Sequence, residues 1–105
     1  MKVIFHLNQI DRLNHCVANI RNLNVKPVET IELLINGDAI KILIADDQSL
    51  IKQLLDQQID VVACQNSLNA HQIDSDQLLD DIRIVSTGVY ELIEKQHEGY
   101  AYIKP

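Results

Sequence analysis

Aromatic side chains are nearly missing from this sequence. There is no tryptophan, one phenylalanine (Phe5) and three tyrosines, Tyr90, Tyr100 and Tyr102. The core must therefore be aliphatic, and a hydrophobic content of 47% with periodic spacing supplies the material and excludes disorder. Basic residues are also few, nine Lys and Arg against fifteen Asp and Glu, for a net charge of −6. Such a chain repels phosphate backbones, and no local run of Lys or Arg reverses this, so nucleic acid is excluded as an expected partner. No apolar run approaches the roughly 20 residues of a membrane helix, so no membrane partner is expected either. The opening Met1 to Leu7 is too short for the apolar centre of a signal peptide and is better read as a strand. Without an export signal the expected compartment is the cytoplasm, where thiols stay reduced.

Two cysteines, Cys16 and Cys64, make no disulfide framework, and no CxxC is present for zinc. His15, His71 and His97 lack the spacing of a shared metal site, so neither metal nor cofactor is expected. Glycine is scarce, and neither GxGxxG nor GxxxxGK[ST] occurs, so there is no phosphate loop. The 105 residues are enough for one domain, 1–105, with little room for insertions.

The rest of the chain is organised around Asp60-Val61-Val62-Ala63-Cys64-Gln65-Asn66-Ser67-Leu68. Small and β-branched residues run straight into a cysteine, and the composition then turns polar. This pattern predicts a buried strand over 59–64 that delivers Cys64 to its carboxyl end, followed by a short helix capped by Asn66 or Ser67. Other strands are expected over 2–7, 28–35, 82–85 and 100–103. Helices are expected from an Asp11 cap through Leu23, with Leu13, Cys16, Val17 and Ile20 on one face, and from Asp46 or Asp47 through Leu55. A last helix runs over 89–97, burying Val89, Leu92 and Ile93 and closing at Gly99. Residues 39–45 fit both an alternating strand and a helical stripe; a short helix capped by Asp38 is favoured. Strands alternating with helices imply an α/β fold with a mostly parallel sheet covered on both faces, the direction of the last strand being open.

In such a sheet the strand ends share one rim, where ligands bind. That rim would gather His6, Asn36 and Gly37, Cys64 with Gln65 and Asn66, and Ser86, Thr87 and Gly88. Cys64 is the potential nucleophile, reactive as a thiolate, which helix N-terminal N–H groups would favour. From position alone a buried structural cysteine is an equal alternative. Cys16, on an apolar helix face, is structural. His6 could bind a ligand or simply be a satisfied structural histidine. Asn36-Gly37 could be only a turn, and Ser86-Thr87-Gly88 only a cap.

Several stretches occur in an order that resembles a known group. They are the strand ending in His6, the Asn36-Gly37 turn, Ala63-Cys64-Gln65-Asn66-Ser67-Leu68, Thr87-Gly88-Val89, and the closing Gly99-Tyr100-Ala101-Tyr102-Ile103-Lys104-Pro105. Together they resemble the small DsrE/DsrF-like proteins, also called YchN-like, over essentially the whole chain. The resemblance implies a three-layer α/β/α sandwich with a mostly parallel five-stranded sheet. It implies homo-oligomers, trimers or hexamers, with sites near subunit interfaces. It also implies, by analogy with some relatives, a cysteine persulfide on Cys64 with Asn66 as the neighbouring amide, and a sulfur donor or acceptor protein as partner. The chain lacks the insertions of dedicated sulfur-relay members. Two functions therefore stand side by side: a sulfur carrier or sulfurtransferase using Cys64, and a non-catalytic oligomeric module that binds a small ligand while Cys64 only packs.

Overall fold

Residues 2–7, 30–35 and 60–64 are dense in Val, Ile and Leu, and they become the three central strands of one sheet. A computed structural model describes residues 1–105. Its strands are β1 (Lys2–Leu7), β2 (Thr30–Ile35), β3 (Asp60–Cys64), β4 (Arg83–Val85) and β5 (Ala101–Ile103). Its helices are α1 (Leu13–Leu23), α2 (Ser49–Asp56), α3 (Gln65–Ala70) and α4 (Gly88–His97). Tighter 3-10 segments occupy Ile10–Arg12, Gly37–Ile44 and Ser75–Gln77. The strand order is β4-β3-β2-β1-β5, and every pairing is parallel. The direction of the last strand is thereby settled. The two edge strands are three residues each, which limits pairing with foreign strands.

Alternation along the strands sends two different sets of side chains to the two faces. Val3, Phe5, Leu7, Ile31, Leu33, Ile35, Val61 and Ala63 point to one face. There they pack against Cys16, Val17 and Ile20 of α1, Ile40 and Leu43 of the 3-10 segment, Ile51 and Leu54 of α2, and Leu68 of α3. Removing one fully buried Leu or Ile from this layer costs about 2–5 kcal/mol. The opposite face carries a small apolar patch, Ile4, Leu34 and Val62, covered by Leu92 of α4 together with Val85 and Tyr100. The result is a three-layer α/β/α sandwich with unequal layers.

Several local expectations are corrected. Strand β2 begins at Thr30, not Val28. Asp11 does not cap α1: a 3-10 turn precedes it, and Arg12 takes the cap position. Residues 37–44 are helical as favoured, but of the tighter 3-10 kind, and the cap position is Asn36. Helix α2 begins at Ser49, whose N–H is accepted by Asp47 Oδ1 at 2.9 Å. Helix α3 begins at Gln65, leaving Cys64 in the cap position. Helix α4 is rotated from its expected setting: Val89 and Ile93 are exposed, while Gly88 and Glu91 are buried. At its end Gly99 adopts φ +96°, and Tyr100 N–H reaches Lys95 O at 3.0 Å, closing the helix through a left-handed glycine as expected.

The inward facing of Glu91 is matched by an electrostatic cluster. Arg83 Nη2 lies 2.8 Å from Asp60 Oδ2, 2.9 Å from Glu91 Oε2 and 3.4 Å from Glu32 Oε1. One guanidinium thus meets three carboxyl groups, and Glu32 is completely buried. As an ionised group Glu32 would have no well-placed donor, since neither oxygen makes a hydrogen bond. As a neutral acid it brings its own O–H, and Glu91 is the acceptor facing it. Burial, then the Glu91 and Asp60 carboxylates, push Glu32 up to about 9. Burial also pushes Glu91 up, but the Glu32 and Arg83 hydrogen bonds outweigh it and hold Glu91 below its ordinary value. Lys95, on the same helix, adds positive charge to the group.

This pair makes stability pH-dependent. The folded chain holds a proton on Glu32 at pH values where an unfolded glutamate has lost it, so stability falls as pH rises from the ordinary carboxyl range toward about 9. Glu91 has the opposite sign but acts only near and below the ordinary range. Glu32→Gln, neutral throughout, should therefore gain in melting temperature over wild type between about pH 5.5 and about pH 8.5. Parallel dependences of melting temperature on pH across that window would show that Glu32 is ionised in the folded chain as in the unfolded one.

Candidate functional site

The parallel sheet brings the carboxyl ends of β1 to β4 to one rim, and Cys64 lies at its centre. Its backbone is extended (φ −84°, ψ 118°) and turns directly into α3. At this position a serine or aspartate oxygen ordinarily accepts from the second and third N–H groups of the helix. Here the acceptor is sulfur, facing the N–H groups of Asn66 and Ser67. The best-formed bond comes from another helix: Gly88 N–H, at the start of α4, donates to Cys64 Sγ at 3.2 Å. The Ser67 hydroxyl acts on the thiol at least as strongly as Gly88, and the Ser67 and Asn66 N–H groups add smaller effects.

Two opposed effects act on this thiol. Burial pushes its pKa up, and the donors from Ser67, Gly88 and Asn66 pull it down; the donors win, so the net shift is downward. Cys16 is the contrast. Its surface is covered like that of Cys64 but it lies deeper in the protein, no donor offsets the burial, and its thiol is pushed up to about 12. The cysteines therefore differ in depth as well as in donors: Cys64 has the smaller burial penalty and the hydrogen bonds that outweigh it. Cys64 itself is only 4% exposed.

The loop after β2 forms the neighbouring wall. Gly37 adopts φ +57°, and a Cβ there would stand 3.2 Å from Asn8 O, so the tight turn requires glycine. Its N–H donates to Ser67 Oγ at 2.9 Å. Ser67 thus accepts from the turn and offers its own hydrogen to the sulfur. Asn36 Oδ1 lies 2.8 Å from His6 Nε2, and His6 Nδ1 lies 2.7 Å from the Tyr102 hydroxyl. Burial lowers the His6 pKa, the Asn36 bond opposes this, and Lys104 lowers it further, so the imidazole is neutral at neutral pH. A Cβ on Gly88 would lie 3.2 Å from Asn36 Nδ2 and 3.4 Å from Cys64 Cβ. Asn36 and Cys64 therefore flank the same small space.

Of the residues singled out from sequence, the structure brings His6, Asn36, Gly37, Cys64 and Gly88 into one connected group. Asn66 contributes its backbone N–H, and its side chain makes no hydrogen bond. The Gln65 side chain instead bonds Asn69 Oδ1 at 3.0 Å. Thr87 occupies the cap position of α4 without a side-chain cap bond, and Ser86 is exposed. Two members were missed as site residues. Ser67 could have been found from its place three residues after Cys64, the helix spacing that meets a cap. Tyr102 had no such signal, since it lies 96 residues from His6. No three His, Cys, Asp or Glu side chains converge in a way that could hold a metal. The largest hollow, about 400 Å³, is an open groove lined by Phe5, Asn19, Asn22, Leu23, Lys26 and Ile103 and shares no residue with the rim. No helix is long and apolar enough to cross a membrane.

The DsrE/DsrF-like family model matches residues 2–105. Among solved structures, the chain is similar to MTH1491, a protein of unknown function from Methanobacterium thermoautotrophicum. The TM-score is 0.90 and the identity 32%, with 99% of this chain and 98% of that chain covered. It is also similar to the YchN protein from E. coli (TM-score 0.76, 16% identity, 100% and 99% covered). A third similar structure is BT1422 from Bacteroides thetaiotaomicron, a conserved protein of unknown function (TM-score 0.82, 18% identity, 99% and 94% covered). At these identities the last two bear on the fold alone. No curated protein matches. With its model matched from residue 2 to the last residue and MTH1491 similar over the whole length, the chain belongs to the DsrE/DsrF-like family.

Proposed function

We propose that Cys64 carries sulfur as a persulfide. The observation that supports this most directly is the ring of donors around Sγ, which favours the thiolate despite burial. The thiolate attacks the outer sulfur of an organic persulfide R–S–SH. A new S–S bond forms to Cys64, the donor S–S bond breaks, and R–S⁻ leaves with the electron pair. The products are Cys64–S–SH and R–S⁻, so no external oxidant is needed. A second exchange, with an acceptor thiolate attacking the outer sulfur, returns Cys64 to its starting state. Donor and acceptor proteins would be the partners.

A second reading has its own observation. Cys64 is 4% exposed, and neither hollow on the surface includes it. This favours a non-catalytic module in which the sulfur only caps α3. Reactivity separates the two. Alkylation of the folded protein should label Cys64 before Cys16. Exposure to an organic persulfide should add one sulfur atom per chain, reversible by reductant and lost in Cys64→Ser. Cys16→Ser should load normally while losing roughly 1–3 kcal/mol of stability, because its hydroxyl is buried among apolar groups. Preferential labelling of Cys16, or equal loading of Cys64→Ser, would leave the binding-module reading.

The same proposal includes assembly into a homo-oligomer, a trimer or hexamer. Val89, Tyr90 and Ile93 are 61%, 60% and 60% exposed and lie on the outer side of α4, an apolar face that a second copy would cover. Tyr90 is the suitable tyrosine for that contact. Tyr100 is instead held between Lys2 and Lys95, whose ammonium groups lie 5.5 and 5.4 Å from its ring centre. Sedimentation at micromolar concentration should show no 11.9 kDa species as the main component; a solely monomeric profile would refute assembly.

A further inference from the structure

We infer that Tyr102, His6 and Asn36 form a positioning chain that turns the Asn36 side-chain NH₂ toward the outer sulfur of a persulfide on Cys64. The inference rests on the sulfur-carrier reading and adds to it the group that holds the transferred atom.

The orientation follows from donors and acceptors taken in order. Tyr102 is exposed at the edge of the sheet, and partial desolvation raises its hydroxyl pKa, so it keeps its proton and is able to donate at neutral pH. Its hydroxyl lies 2.7 Å from His6 Nδ1, and in the inferred chain it donates its O–H to that nitrogen. A neutral imidazole that accepts at Nδ1 carries its hydrogen on Nε2. Nε2 then needs an acceptor, and Asn36 Oδ1 is there at 2.8 Å. With its oxygen committed to His6, the amide has its nitrogen on the other side. Nδ2 has no partner within the chain and lies 3.2 Å from the point a Gly88 side chain would occupy. Cys64 Cβ is 3.4 Å from that same point. A side chain on Gly88 would crowd both residues, so glycine is what lets the Asn36 amide and Cys64 approach each other beside the start of α4, with the Asn36 N–H groups uncommitted.

The chemistry suits the place. The inner sulfur already faces donors from Gly88, Ser67 and Asn66. The outer sulfur of a persulfide bears the negative charge and lies one bond beyond them. A carboxamide N–H stabilises that charge without competing as a nucleophile and without titrating. Besides Tyr102 and Asn36, the charged group acting on His6 is Lys104, just past β5, which disfavours imidazolium.

The test measures the rate of sulfur loading from an organic persulfide by intact mass, with melting curves for every variant. Asn36→Ala should load about tenfold to a hundredfold more slowly, the value of one hydrogen bond to a charged group. Asn36→Ser covers the case in which the alanine variant does not fold. Tyr102→Phe carries the diagnostic signature. At about pH 8 its neutral His6 is free to hold the proton on Nδ1, which turns the Asn36 amide over and slows loading. At a lower pH, chosen by NMR titration so that His6 of the variant is imidazolium, both ring nitrogens donate, the amide is restored, and the variant should approach wild type measured at that same pH. Wild-type rates in both Asn36 variants would overturn the positioning chain and leave the carrier reading standing. An equal Tyr102→Phe deficit at both pH values would also overturn it. A wild-type protein that takes up no sulfur would overturn the carrier reading and this inference with it.

Discussion

All five strands run in one direction, and the site depends on that constraint. Parallel pairing places every carboxyl end on one rim and every amino end on the other. Side-chain period then sorts the face beneath α4 into bands. Lys2, Glu32, Asp60 and Arg83 stand toward the amino ends. Ile4, Leu34 and Val62 form the middle, and His6, Asn36 and Cys64 stand toward the carboxyl ends. Charge, apolar surface and small polar groups follow each other along each strand, and the bands cross the sheet obliquely, with Ile4 beside Glu32, His6 beside Leu34 and Arg83 beside Val62. A shift of one residue in any strand would send its members of all three bands to the opposite face.

Helix α4 runs back across these bands and touches each with a different residue. Gly88 meets Cys64 and Asn36, Leu92 covers the apolar patch, and Glu91 joins Arg83 and Glu32. The helix is therefore held by packing and by charge together. This explains why it can leave Val89, Tyr90 and Ile93 outside. The cluster carries more acid than base, and the excess is relieved by a proton on the carboxyl with least access to water. A buried ion pair is weak evidence for stability, but it fixes geometry when each group has one suitable partner. Here it holds the Glu91 side of α4, beside the Leu92 packing, in the setting in which the Gly88 N–H reaches the sulfur.

The central strands and the position of Cys64 were legible because they depend on local composition: dense β-branched runs, with polar residues directly after the cysteine. The Asn36-Gly37 turn and the Gly99 helix end were legible for the same reason. Glu32 was not, since a charged residue amid Ile31, Leu33, Leu34 and Ile35 gives no local sign that a neutral acid is buried there. The facing of α4 was misjudged because apolar Val89 and Ile93 look like core residues until Arg83, on a separate strand, is placed beside Glu91. Tyr102 joined the site only once β5 was seated against β1, and that pairing was open in the sequence.

What remains is how a buried cysteine can be a site at all. Burial without donors disfavours the thiolate: at Cys16, surrounded by Leu, Val and Ile packing, it pushes the pKa up to about 12. Cys64 is nearly as covered at its surface but lies less deep, and it stands where two helices begin. Hydrogen bonds to a charged acceptor are worth about 1.5–3 kcal/mol each, so one well-formed bond with several weaker ones is enough to reverse a desolvation penalty of a few kcal/mol. The reversal requires donors already fixed in place, because mobile donors would lose entropy on ordering. Gly88 is fixed by α4, and Ser67 is fixed by the Gly37 N–H. The Gly37 turn, which does not touch the sulfur, thus contributes to its protonation by holding Ser67 in place.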